Sequence, residues 1–106
     1  MYAVIFRAKV ANQDEAYSAM AVKMRQLAFE QYRCIDFVAV TEGDEEIAIS
    51  YWHSEADILA WKQDCQHQVA QHSGQHKWYQ SYQVQLVEVK RSYSSAVEAP
   101  CFKRFC

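Results

Sequence analysis

The chain has 106 residues, eleven Lys or Arg against thirteen Asp or Glu, a formal charge of −2, and 51% hydrophobic residues. That length holds one domain with a modest core, the apolar content excludes a disordered chain, and the balanced charge excludes a surface that tracks phosphates, which needs clustered Lys and Arg. No apolar run approaches the roughly 18 residues of a membrane helix, and Met1-Tyr2-Ala3-Val4-Ile5-Phe6-Arg7 lacks the basic leader and apolar core of a secretory signal, so a cytoplasmic protein with no nucleic-acid or membrane partner is expected.

Residues 2 to 10 read as a strand, with Tyr2, Val4, Phe6, Ala8 and Val10 on one face and Ala3, Ile5, Arg7 and Lys9 on the other. Asn12 with Glu15 three residues later resembles a capping box, and Ala16, Met20, Met24 and Leu27 then recur at helical spacing, widened by Tyr17, Ala21 and Ala28. That helix is expected to end near Phe29 to Gln31. Residues 32 to 41 are a second strand, Glu42-Gly43-Asp44-Glu45 a turn, and Glu46 to His53 a third strand, together a hairpin. Ser54 caps a second helix with Asp57 at its third position, and Ile58, Trp61, Cys65, Val69 and His72 trace one face up to Gly74. Residues 75 to 81 are expected to form a short helical turn and 82 to 91 a fourth strand, which sets a domain at 1–92 and a tail at 93–106.

The order β-α-β-β-α-β is the ferredoxin-like arrangement of the α+β class, with a four-stranded antiparallel sheet. Two helices cover one face of such a sheet, yet the strands are apolar on both. The simplest cover for the second face is the same face of another copy, a two-fold homodimer. Cys34 and Cys65 fall inside elements and read as small buried hydrophobes, and all four cysteines, Cys101 and Cys106 included, are expected as free thiols.

Residues 51 to 79 hold all three tryptophans, and three of the four histidines follow the Ser54 cap. A strand ending Tyr51-Trp52, the cap Ser54 to Asp57, Ala60-Trp61-Lys62, His67 to Gln71, and Gly74 with Trp78-Tyr79 resemble the antibiotic biosynthesis monooxygenase (ABM) family over residues 1 to about 92. The resemblance implies a dimeric α+β barrel with a ligand cavity between the sheet and the helices of each subunit. Some members of that family oxidise aromatic polyketides with molecular oxygen and neither metal nor flavin, others bind and degrade haem, and others have no settled activity. The haem branch's asparagine, tryptophan and iron-ligating histidine fall on Arg7, Trp61 and Gln71, so only the tryptophan matches, and His72 is one helical step, about 100°, away.

Cofactor-free oxygenation needs a substrate that loses a proton, a dry pocket, and donors for the developing anion. Tyr51, Trp61, Trp78 and Tyr79 are the candidate walls for a small aromatic or quinone-like molecule. His67 and His72 are the candidate proton acceptors and Arg7 the candidate anion stabiliser. Each has a duller reading: Trp61 as core filler, Trp78 and Tyr79 as a pin before the last strand, His67 paired with Asp64, His72 as a dipole partner at a helix end, and Arg7 in an interface salt bridge. His67, His72 and His76 do not form a metal motif, since Gly74 interrupts the helix and no carboxylate follows at ligand spacing. The expectation is a cofactor-independent monooxygenase. The alternatives are a dimer that binds a small ligand without turning it over, and a haem-binding or haem-degrading protein.

Overall fold

The computed structural model describes residues 1–73 and 78–95, the side chains of 70–73 excepted. The elements follow the expected order: β1 (Tyr2–Val10), α1 (Glu15–Gln31), β2 (Asp36–Glu42), β3 (Glu45–Trp52), α2 (Glu55–Ser73) and β4 (Tyr79–Glu88). They build a four-stranded sheet in the order β2-β3-β1-β4 with every neighbouring pair antiparallel. Each helix therefore carries the chain across one intervening strand, α1 from β1 over β3 to β2, and α2 from β3 over β1 to β4. This is the ferredoxin-like fold.

Several boundaries differ from the sequence reading, each for a local reason. Asp14, not Asn12, caps α1: its backbone is extended and its carboxylate accepts from the Tyr17 N–H at 2.8 Å. The strand expected from residue 32 begins only at Asp36, because Arg33 takes a left-handed conformation (φ 62°) and the Cys34 amide turns back to donate to the Ala28 carbonyl at 2.9 Å. Residues 79–81, expected in a helical turn, open β4, whose first residue pairs with Val10 across a register shift between Lys9 and Val10. The Ser54 cap is in place, its hydroxyl accepting from the Asp57 N–H at 3.1 Å, and Gly43 supplies the positive φ (63°) that the β2–β3 turn requires.

The register assigns every strand residue to a face. Toward the helices point Tyr2, Val4, Phe6, Ala8 and Val10 of β1, and in register with them Trp52, Ser50, Ala48 and Glu46 of β3. Two core clusters sit beneath the helices. One joins Val4, Ala28, Cys34, Trp52 and Ile58, with Phe37 and Trp61 packed on it, and the other joins Ala8, Val10, Tyr17, Met20 and Trp78, with Phe6, Met24, Val69 and Tyr79 packed on it. The predicted helix stripes hold in outline: Tyr17, Met20 and Ala28 of α1 and Ile58 of α2 are buried, while Ala16 and Ala21 are exposed. The opposite face of the sheet carries Ala3, Ile5, Val38, Val40, Ile47, Ile49, Tyr51 and Val87, with neither helix over it; Val38 and Val40 are 50% and 60% exposed.

Candidate functional site

The register separates the predicted site residues. Trp61, Trp78 and Tyr79 belong to the helix side. Arg7 and Tyr51 belong to the open face, where Arg7 is half-exposed and pairs with Glu45 at 3.8 Å. A single hollow beneath the helices therefore does not bring Arg7 and Tyr51 together with Trp61, which corrects the set drawn from the sequence. Arg7, the position compared with the haem branch's asparagine, points to the open face, while its neighbours Phe6 and Ala8 face the helices. His67 is exposed on α2, and its pairing with Asp64 is not seen, since Asp64 instead accepts from the Tyr32 hydroxyl at 2.8 Å and from the Gln68 amide at 3.4 Å. The His72 side chain, His76 and the Cys101 and Cys106 thiols lie outside the described residues.

Trp61 is held tightly. Its ring lies 5.1 Å from that of Trp52 and edge-on to Phe37 at 6.0 Å, and its indole N–H donates to the Met24 carbonyl at 2.9 Å. That bond ties α2 to α1 and fixes the orientation of the indole. Trp78 is buried edge-on to Tyr17, while its indole N–H and the Tyr17 hydroxyl have no partner among the described residues.

Toward the start of β3 the helix side of the sheet carries small residues. Ala48 and Ala39 pair on adjacent strands and make a low floor beside the buried Ala8, and Ala39 is exposed. Aromatic rings stand beside it. Phe6 packs on Tyr79 at 5.5 Å and stacks with Tyr82 at 6.0 Å, and Tyr79 lies 5.8 Å from Tyr82. Farther along β4, Tyr82, Val84 and Leu86 face the helix side yet stay uncovered, with Tyr82 63% exposed.

Glu46 stands in the same row as Ala8 and Tyr82. Its Oε1 is buried and has no hydrogen-bond partner among the described residues, and burial pushes the carboxyl above its ordinary range. Its charge reaches Tyr79: burial first, then the Glu46 carboxylate, then Cys65 and Tyr82, push the Tyr79 phenol up to about 12. The sequence reading missed Glu46. The available signal was its place in the alternation Glu46, Ala48, Ser50, Trp52, an acid in step with residues that point inward.

Cys65 is a half-buried thiol in α2, pushed from 9.0 up to about 12 by burial and then by the charge of Asp64. Only the thiolate is nucleophilic, so its alkylation by iodoacetamide at mildly alkaline pH is expected to run about a thousandfold slower than that of an unperturbed thiol, on thiolate fraction alone. Peptide mass mapping in native buffer and in urea checks this. Equal labelling in both would show an accessible, reactive thiol.

No family model matches the chain. Over 91 residues, 85% of this chain and 80% of the relative, it is 36% identical to the uncharacterised protein YqjZ of Bacillus subtilis (strain 168). Among solved structures, SnoaB, a cofactor-independent oxygenase from Streptomyces nogalater, superposes with a TM-score of 0.70 at 8% identity, covering 89% of this chain and 97% of SnoaB. A crystal structure of an antibiotic biosynthesis monooxygenase superposes with a TM-score of 0.57 at 16% identity, covering 84% of this chain and 98% of that one. At such identities the structures speak for the fold, and the kinship with YqjZ speaks for common descent along most of the chain. The chain therefore belongs to one family with YqjZ, and it has the fold of SnoaB and of the antibiotic biosynthesis monooxygenase structure.

Proposed function

We propose that the protein is a cofactor-independent monooxygenase that acts on a small aromatic or quinone-like molecule, as a homodimer joined through its open sheet faces. One observation carries the reading. On the helix side, the aromatic group Phe6, Tyr79 and Tyr82 borders a floor of alanines, with Trp61 locked in place farther along the same layer. Flat rings stack on such walls, and small floor residues leave room for them. SnoaB, on the same fold, is a cofactor-independent oxygenase, which supports the reaction class. Arg7 and Tyr51 are reassigned to the dimer face. Tyr79 and Trp61 remain as walls, with Trp78 behind them as the anchor of β4.

The reaction draws its electrons from the substrate, so an electron-rich hydroxyaromatic is the appropriate class. An oxygen electrode tests it. Hydroquinones or polyphenols added to the protein are expected to consume oxygen well above their autoxidation rate, and added metal chelator is expected to leave the excess rate unchanged. A rise in Tm with these compounds but no oxygen uptake above background would replace the enzyme by a ligand-binding dimer.

A further inference from the structure

We infer that the outer edge of β4 is a second interface of this protein, where the strand pairs antiparallel with β4 of another copy about a two-fold axis at Val84 and continues the sheet from one subunit into the next.

β4 is the last strand in the sheet order, so one of its edges carries backbone groups that no strand of the sheet bonds. Which groups these are follows from the ladder on its other side. The Val89 N–H donates to the Met1 carbonyl at 2.9 Å, in step with the β1–β4 register. In an antiparallel pair the backbone groups of alternate residues turn to the same neighbour. Val87, Gln85 and Gln83 therefore turn to β1, while Tyr82, Val84 and Leu86 turn their N–H and C=O groups outward. Every residue from Gln80 to Glu88 is exposed.

Natural edge strands are guarded by lysine, proline, charge, a bulge or a covering group. Residues 81–87 contain no charge and no proline, the single charge of β4 is its last residue, Glu88, and the register shift lies at its first residues. The opposite edge of the sheet is guarded. Asp36 and Glu42 end β2, the Phe37 N–H donates to the Asp36 carboxylate at 2.9 Å, and Arg25 donates to the Phe37 carbonyl at 3.1 Å.

The open edge is its own complement. With the axis at Val84, residues 81–87 pair entirely with their own copies. Val84 exchanges both backbone bonds with the partner's Val84, Tyr82 lies opposite Leu86 of the partner subunit, and Gln83 lies opposite the partner's Gln85. Apolar side chains then meet apolar ones, amide meets amide, no like charges face each other, and Glu88 falls outside the paired run. This contact is separate from the proposed open-face dimer. Val84 pairs with Phe6 and shares its helix side, so a face-to-face contact cannot bring two copies of Val84 together. A single strand edge is a small interface, so the contact is expected to be weak, and covalent capture reads it.

The full chain carrying Val84→Cys, treated with a short bismaleimide, is expected to form a dimer joined through position 84 at least about tenfold faster than Val22→Cys, an exposed position on α1 that reports random collision. Mixed Tyr82→Cys and Leu86→Cys proteins are expected to link to each other and not to themselves, since position 82 lies ~13 Å from its own copy in this register. Val84→Pro added to both members of that mixture removes only an outward N–H, leaves the β1–β4 ladder whole, and is expected to cut the linking about tenfold. Peptide mass mapping identifies the joined positions. A Val84→Cys rate no higher than that of Val22→Cys, a product of position 82 with itself, or a link from position 84 to Cys101 or Cys106 within one chain (residues 96–106 taking the edge instead) would overturn the assignment. If Val84→Cys does not fold, the mixed pair decides alone.

Discussion

Trp52→Ala is expected to lower the free energy of unfolding by about 4 kcal/mol, in the range typical of a large aromatic removed from a packed core. Trp52 has 0% exposure and is the largest fully buried side chain among the described residues. It sits where β3 ends and α2 is about to begin, in one core cluster with Val4 and Cys34 and with its ring tilted by 39° against that of Trp61 at 5.1 Å. Its indole N–H donates to the buried Ser50 hydroxyl at 2.8 Å, so truncation also strands that hydroxyl, for about 1 kcal/mol more. Domains of this size have only about 5–15 kcal/mol in total, so the variant is expected to be near the edge of folding at 37 °C. Urea denaturation followed by circular dichroism, at one fixed protein concentration because the proposed association would contribute to stability, gives the difference directly. Trp52→Phe keeps the ring volume in part and is expected to lose about half as much. A loss under about 1.5 kcal/mol for the alanine variant would mean that the Trp52–Trp61 pair is not the centre of the core.

The elements were legible in the sequence because period and cap agree: the alternation of β1, the three-and-four spacing of Ile58, Trp61 and Cys65, and the Ser54 cap all reappear. What was not legible is which face of the sheet the helices take. Tyr2, Val4 and Phe6 against Ala3 and Ile5 offer two apolar faces, and nothing local to β1 says which one meets α1. The separation of Arg7 and Tyr51 from Trp61 emerges only once cross-strand pairing and helix position are both known. Glu46 was overlooked for a related reason. Beside the turn residues Asp44 and Glu45 an acid reads as part of a solvated loop, and its burial becomes visible only when Glu46 pairs opposite Ala8, one row from Phe6. The α1 cap was misplaced by two residues because Asn12 and Asp14 are both good caps, and only the extended backbone at Asp14 decides between them.

The double substitution Val38→Glu, Val40→Glu is expected to convert the proposed dimer to a folded monomer. Both valines point away from the helices and stand 50% and 60% exposed in the single chain, so the subunit's own core does not need them. They continue an apolar patch with the half-buried Ile5, Ile47 and Ile49 on the face that neither helix covers. Charged groups lie along its margin, Arg7 with Glu45 at 3.8 Å and Lys9 with Asp44 at 3.7 Å, the polar rim expected around an interface. A two-fold contact meets each substitution twice, so four carboxylates would enter one dry, mutually repelling patch at a penalty of several kcal/mol. By that measure Kd rises by at least about a thousandfold. Sedimentation velocity reads the mass and circular dichroism reads the fold, which is expected to be unchanged. Val22→Glu with Leu59→Glu is the control, since both side chains are 57% exposed but ride on the helices, and that variant is expected to stay dimeric. A wild type that sediments as a monomer at high concentration, or a Val38→Glu, Val40→Glu protein that remains a dimer, would leave the open sheet face without its proposed cover and move the search for a partner elsewhere.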